Sequence, residues 1–442
     1  MVSGTASVEQ APGIGGRVRD LRRAAGMTQV ELAAGRFTKQ YVSQIERGEI
    51  IPSGELLTWL AERLGVEPML LETGFAESDL DRLQQSLEQG ERLLAEHGYP
   101  DAVEHFHTLR ASLPPGSAVW AYHGSIRGEA QALIRLGRLD EAGTLLDEAR
   151  KLAEARDDAS GERAEIAYLT ALLSYAGSEI AAAEGQFTQA LGLLDGGDTP
   201  NDRLRCDVLQ WRSRCYRRQR DWEAAREDVE RALELCESLG DVYRSGEVTF
   251  QASLVAERQG RWVLARRYAE TCRDLFESIG DVVSVGRVLN NLAGLNHSLG
   301  NDEAAIENLR EAFQIFVDAN LEVEAGYVLS SLAEIHRARG ELEEAKTTAA
   351  RALTLLEDRV DHVQEIGTAQ LVLARTHLER GELEEAEEML VSVDESYELT
   401  ESVSHRARSW MTRGDLELRR ENDAEAARLY RQAAVALQPA DI

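Results

Sequence analysis

The stretch TQVELAAGRFTKQYVSQIERGEIIPS, residues 28–53, reads as two short helices joined by a tight turn. Thr28 and Glu31 form a capping box, in which hydroxyl and carboxylate each satisfy a backbone N–H at the start of a helix over 29–34. Gly35, Arg36 and Phe37 turn the chain, and Thr38 caps a second helix that runs to Glu46, with Gly48 just past its end. At about 100° per residue, Tyr41, Val42 and Ile45 fall on one side of that helix and Lys39, Gln40, Ser43, Gln44 and Arg47 on the other. The polar side holds residue types that recognise nucleic acid: Gln pairs with adenine, Lys and Arg with guanine or phosphate, and Ser with either kind of edge. That is the pattern of a helix-turn-helix. A charged helix that only faces water, or a small domain kept for dimerisation or protein contact, has the same amphipathic outline.

On either side of this stretch the chain completes a small domain over 13–73. A helix over 14–25, closed by Gly26, carries Ile14, Val18 and Leu21 as its apolar stripe; Arg17, Arg19, Arg22 and Arg23 flank it, facing either phosphates or water. Pro52 and Ser53 start another helix over 55–64, with Leu56, Leu60 and Leu64 on one face and Gly65 as its stop. Leu57, Trp59 and the run Val66 to Leu71 close the core or form a dimer contact. Residues 1–12 are rich in Ser, Gly and Ala without a basic start or apolar core, which reads as a flexible tail and not a signal peptide.

From about Asp79 to residue 438 the chain is helix-forming and repeats every 40 residues: GRWVLA (260–265), GNDEAA (300–305), GELEEA (340–345) and GELEEA (381–386), with RDWEAA (220–225) before and ENDAEA (421–426) after. Five residues after each turn start stands Ala225, Ala265, Ala305, Ala345, Ala386 or Ala426; fourteen before it, in the four central units, stands Gly246, Gly286, Gly326 or Gly367. Small residues at fixed places in a helical hairpin mark close helix crossings, so each unit is a helix pair that stacks on its neighbours. GRLDEA (137–142) is an earlier unit, GQFTQA (185–190) a poorer one and residues 98–103 a first, about eight in all. The expected fold is all-α: a helix-turn-helix domain followed by an α-solenoid.

TQxELA followed by SQIERGxxxPS resembles the Xre/Cro class of DNA-binding domains, over residues 13–73, with a turn between Ala33 and Thr38 one residue shorter than the common pattern. The resemblance implies that Gln29 contacts a phosphate, that Lys39, Gln40 and Gln44 enter the major groove beside Thr38 and Ser43, and that Arg47 touches the backbone. The hairpins resemble tetratricopeptide repeats in the 40-residue form of several bacterial regulators and of kinesin light chains. The combination is similar to the peptide-responsive quorum-sensing regulators of Gram-positive bacteria. It implies a cytoplasmic homodimer that binds a double-stranded DNA operator and a peptide or protein effector; the alternative is a protein-interaction scaffold or inhibitor working through the repeat groove.

If the repeat register carries over, Arg287, Asn290, Gly294 and His297 face the groove with Asn291 beside them, where Asn amides could clamp a peptide backbone. The equal alternative is that Asn291 bonds a neighbouring turn. The run 203–220 packs seven Arg and one acid, and the same register turns Gln210, Arg214, Arg217 and Arg218 inward with Trp211 adjacent. Arg forks fit carboxylates of an acidic peptide, or pair internally with Glu-rich helices.

Charge confines any DNA contact. Residues 1–75 carry 8 basic and 9 acidic side chains, which leaves −28 of the net −29 on the remainder, and an acidic body repels DNA. Three lysines, Lys39, Lys151 and Lys346, stand against 46 arginines, the bias of a GC-rich bacterial genome. No GxxxxGK[ST], HExxH or GxSxG occurs, so neither an enzyme nor a cofactor is expected. The Cys at 206, 215, 236 and 272 lack metal spacing and read as reduced helix residues, and no apolar run reaches membrane-spanning length.

Overall fold

The computed structural model describes residues 13–437 apart from 97, 114–117, 157–158, 198–199, 357–362 and 399–402. The tail expected over 1–12 and residue 438 lie outside the described residues. All regular structure among the described residues is helical, and the chain packs as two compact units, 1–219 and 220–442.

The first unit opens with α1 (Ile14–Ala24), α2 (Gln29–Ala33), α3 (Lys39–Glu46), α4 (Gly54–Leu64) and α5 (Pro68–Thr73). Both expected caps form: Thr28 Oγ1 accepts from the Glu31 N–H at 3.2 Å while Glu31 Oε2 accepts from the Thr28 N–H at 2.7 Å, and Thr38 Oγ1 accepts from the Tyr41 N–H at 3.2 Å. Helix α2 ends one residue before the expected Ala34, because Ala34 itself turns left-handed at φ 45°. Val18, Leu32, Val42, Ile45, Leu60 and Leu71 form a buried core that Trp59 and Val66 close from the side. A Cβ on Gly15 would lie 2.0 Å from the Ile45 carbonyl oxygen, so α1 crosses the last turn of α3 at backbone distance.

Four elements of this unit's array follow as α6 (Glu77–Ala95) with α7 (Tyr99–Ser112) and α8 (Val119–Arg135) with α9 (Leu139–Glu154). Then come α10 (Ser160–Ala176) with α11 (Ile180–Asp195), and α12 (Asp202–Gln219). The second unit holds α13 (Trp222–Leu239), then α14 (Val242–Arg258) with α15 (Trp262–Ser278) and α16 (Val282–Ser298) with α17 (Asp302–Asp318). It ends with α18 (Glu322–Ala338) and α19 (Leu342–Leu356), α20 (Val363–Arg380) and α21 (Leu383–Glu398), and α22 (Val403–Arg419) and α23 (Asp423–Leu437).

From the turn after α8 onward, each turn between paired helices carries one residue of positive φ: Gly137, Ser178, Arg220, Gly260, Gly300, Gly340, Gly381 and Glu421. Five residues later stands Ala142, Ala183, Ala225, Ala265, Ala305, Ala345, Ala386 or Ala426, none more than 1% exposed. The unit read at 185–190 is therefore out of register: Gly185 lies inside α11, and the turn is at Ser178. As at Arg220 and Glu421, the left-handed position there is held by a residue other than glycine, Ser178.

The period also builds sockets. A Cβ on Gly246, Gly286, Gly326 or Gly367 in the first helix of a pair would lie 2.8, 3.0, 2.9 or 2.5 Å from Phe276, Phe316, Leu356 or Tyr397 of the second. Those large side chains are at most 2% exposed, a burial that contributes about 1.5–3 kcal/mol each. Gly367→Ala should therefore destabilise the protein by about 1–3 kcal/mol through overpacking against Tyr397. Gly294→Ala, also in a helix but with nothing within 4 Å, should be neutral or stabilising by up to about 1 kcal/mol; urea unfolding midpoints of the two variants check the contrast.

Candidate nucleic-acid interface and repeat face

Helix α3 is clamped from behind by a buried ion pair. Glu46, 6% exposed, accepts from Arg22 Nε at 2.5 Å and Nη2 at 3.1 Å and from Gln29 Nε2 at 2.8 Å, while Arg22 Nη1 donates to the Met27 carbonyl at 2.6 Å. One carboxylate thus ties α1 and α2 to α3. Burial alone pushes the Glu46 carboxyl up, but hydrogen bonds from Arg22 and Gln29 and the Arg22 charge outweigh it and hold it below the ordinary carboxylate value.

With its back fixed, α3 and its C-cap offer Lys39, Gln40 and Arg47 exposed, Arg47 paired with Glu49 at 3.2 Å, and Ser43 and Gln44 half-exposed, on the side opposite Val42 and Ile45. Thr38, expected on DNA, is exposed and spends its hydroxyl on the cap. Gln29, expected on a phosphate, commits one amide hydrogen to Glu46 and so braces α3. The arginines of α1 divide. Arg17 donates to the Leu71 and Glu72 carbonyls at 2.9 and 2.6 Å and Arg22 is in the ion pair, whereas Arg19 and Arg23 are exposed.

In the second unit, Arg287 is exposed on α16 and the Asn290 Oδ1 is shut off from solvent without a hydrogen-bond partner. Asn291 bonds side chains of α14, a helix and not a turn: its Oδ1 accepts from Ser253 Oγ at 3.0 Å and its Nδ2 donates to Glu257 Oε2 at 3.3 Å. His297 Nδ1 lies 2.7 Å from Asp302 Oδ1 across its hairpin turn, and His336–Glu341 at 2.6 Å and His377–Glu382 at 2.5 Å repeat that latch. Glu382 is held down to about 2 by hydrogen bonds from Arg380 and then His377. Farther along, Glu334 pairs with Arg337 and Arg375 at 2.8 Å each. Gln251, which the sequence reading passed over, stands one 40-residue period before Asn291; it is 3% exposed and its Oε1 has no partner. The period itself was the signal that points to it.

In the first unit, α12 buries Gln210 and leaves Arg214 and Arg217 half-buried and Arg218 exposed. The Arg214 guanidinium lies 4.2 Å from the Trp211 ring centre and that of Arg218 5.0 Å from Tyr175, whose ring meets Trp211 edge-on at 5.3 Å. Arg212 donates to Thr188 at 3.0 Å and Arg205 pairs with Asp195, so part of the run is spent on α11. Among the described residues no group of three or more His, Cys, Asp or Glu is placed to hold a metal, and the four cysteines are buried and free. No described helix is long and apolar enough to cross a membrane.

Residues 18–71 match the helix-turn-helix family, and residues 246–316 and 371–442 match tetratricopeptide repeat families. The chain joins a helix-turn-helix domain to tetratricopeptide repeats. Among solved structures it is similar to the apo form of the quorum sensor NprR from B. thuringiensis, at 13% identity and a TM-score of 0.57 over 81% of this chain and 99% of that one. It is also similar to a Rap protein complexed with Competence and Sporulation Factor, at 14% identity and TM-score 0.59 over 80% and 98%. The apo form of RapI gives 10% and 0.60 over 80% and 97%. At these identities the likeness is one of fold. No curated protein matches the chain in sequence.

The ion pair behind α3 carries a pH dependence. Glu46 has a lowered folded value, so its contribution is fully present above the ordinary carboxylate range and is lost as pH falls through the folded value. Glu46→Gln should abolish that acid dependence and, by leaving Arg22 buried and unpaired, cost about 3–5 kcal/mol locally. Amide exchange in α3 of the full chain should then speed up by roughly a hundredfold or more.

Proposed function

We propose that this protein is a sequence-specific transcriptional regulator whose α3 reads an operator and whose repeat array binds a peptide or protein effector that changes operator binding. The observation that carries the reading is the pairing of a rigidly backed α3 with an exposed polar face of Lys39, Gln40, Ser43, Gln44 and Arg47. Gln40 and Gln44 would reach base edges, with Lys39 and Arg47 on guanine or phosphate. One such helix reads only a few base pairs, so the protein would act as a homodimer on two half-sites. Arg287, Asn290 and Gln251 in one unit, and Arg218 with Arg214 and Arg217 in the other, are the effector-binding candidates; NprR is described as a quorum sensor, and a Rap protein of similar fold is complexed with Competence and Sporulation Factor.

Selection of genomic fragments by the full-length protein at near-physiological salt tests this. The expected outcome is an enriched motif of two half-sites, lost in a Gln40→Ala/Gln44→Ala variant whose helicity is unchanged. Enrichment insensitive to both substitutions would refute the assignment of α3 as the reading element. No enrichment with or without added peptides would favour a scaffold acting through the repeats.

A further inference from the structure

Arg36, in the turn just before the α3 cap, is exposed and takes part in no ion pair among the described residues. Its guanidinium lies 5.6 Å from the Phe37 ring centre and 5.5 Å from that of Trp59 on α4. The platform is itself assembled: Phe37 stacks on Tyr41 of α3 at 5.2 Å and meets Trp59 edge-on at 5.4 Å. Contacts of this kind hold a cation by the ring quadrupole without neutralising it, so the charge stays available and little side-chain entropy is left to lose on binding.

We propose that Arg36 is a pre-positioned phosphate contact at the N-terminal end of α3, used on any DNA sequence. The inference rests on α3 being the DNA-reading helix. A recognition helix enters the major groove by its N-terminal residues, and the groove is bordered by phosphates on both sides. Arg36 lies against Phe37 and against Trp59 on α4 beside the start of α3, a place that suits the rim of the groove and not a base edge. The aromatic platform sets that place: Phe37 and Tyr41 anchor it to α3 itself, so the cation follows the helix wherever the helix docks. Because the helix-turn-helix region is close to neutral, few cations serve this face, and losing one removes a sizeable share of the electrostatic attraction.

The test is DNA binding by the full chain, across a series of salt concentrations, on a selected fragment and on an unrelated one. Arg36→Ala should weaken both by a similar factor, roughly tenfold, and flatten the dependence of log K on log salt by about 0.9 per bound chain. Arg36→Lys should restore the slope while recovering only part of the affinity, because it keeps the charge and loses the planar stack. An unchanged slope in Arg36→Ala, or failure of Arg36→Lys to restore it, overturns the proposal while leaving the DNA-binding reading intact. Failure of the unaltered protein to bind either fragment sinks that reading and the proposal together.

Discussion

A large side chain seats between two packed helices only where the facing position carries none, and the central pairs of the array repeat that arrangement. Alanine five residues past each turn and glycine near the start of the first helix in the central pairs remove the bulk. A phenylalanine, leucine or tyrosine from the second helix fills the space at 40-residue intervals. Interior packing is close enough that a single added carbon is felt, so the repetition of the sequence is a repetition of one steric solution. In the N-terminal domain a glycine serves a closer contact, where Gly15 lets α1 meet the backbone at the end of α3.

Electrostatics works on a second layer. Along one edge of the second unit each arginine before a turn reaches both its own hairpin and the preceding one: Arg339 meets Glu341 at 2.8 Å and Glu303 at 3.2 Å, and Arg380 meets Glu382 at 2.7 Å and Glu343. Exposed pairs of this sort contribute little singly. Their arrangement as a ladder does favour one stacking register over a slipped one. The array's own acid engages many of its arginines, among them Arg337, Arg339, Arg375 and Arg380.

The elements that were legible in the sequence are those whose cause is local or periodic. Thr28 with Glu31 and Thr38 with Tyr41 act across one helical turn, and the alanine and glycine positions recur at a constant interval; both survive being read along a line. What escaped reading couples distant or unlike residues. Glu46 and Arg22 are 24 positions apart with no pattern joining them, and their burial appears only when three helices converge. Ser178 takes a backbone conformation that glycine takes at most of the other turns, so a glycine inside α11 stands in the wrong place as a marker for the unit there. Groove candidates fared by the same rule: the repeat register carries Asn290 and Asn291 to one region, but it could not say that Asn291 is bound to Ser253 and Glu257 and that Asn290 is not similarly engaged.

That last difference divides the cost of occupying the face of α14 and α16. A group that engages Asn291 exchanges two existing bonds for new ones, so the gain is only the difference between them. A group that reaches the Asn290 or Gln251 carbonyl oxygen supplies a partner to an acceptor already stripped of water, and there the full benefit is realised. Both atoms accept and neither donates. Any group that satisfied them would have to bring N–H or O–H hydrogens, as an extended backbone does with its amides turned inward, and one presenting only oxygens would leave them unpaired.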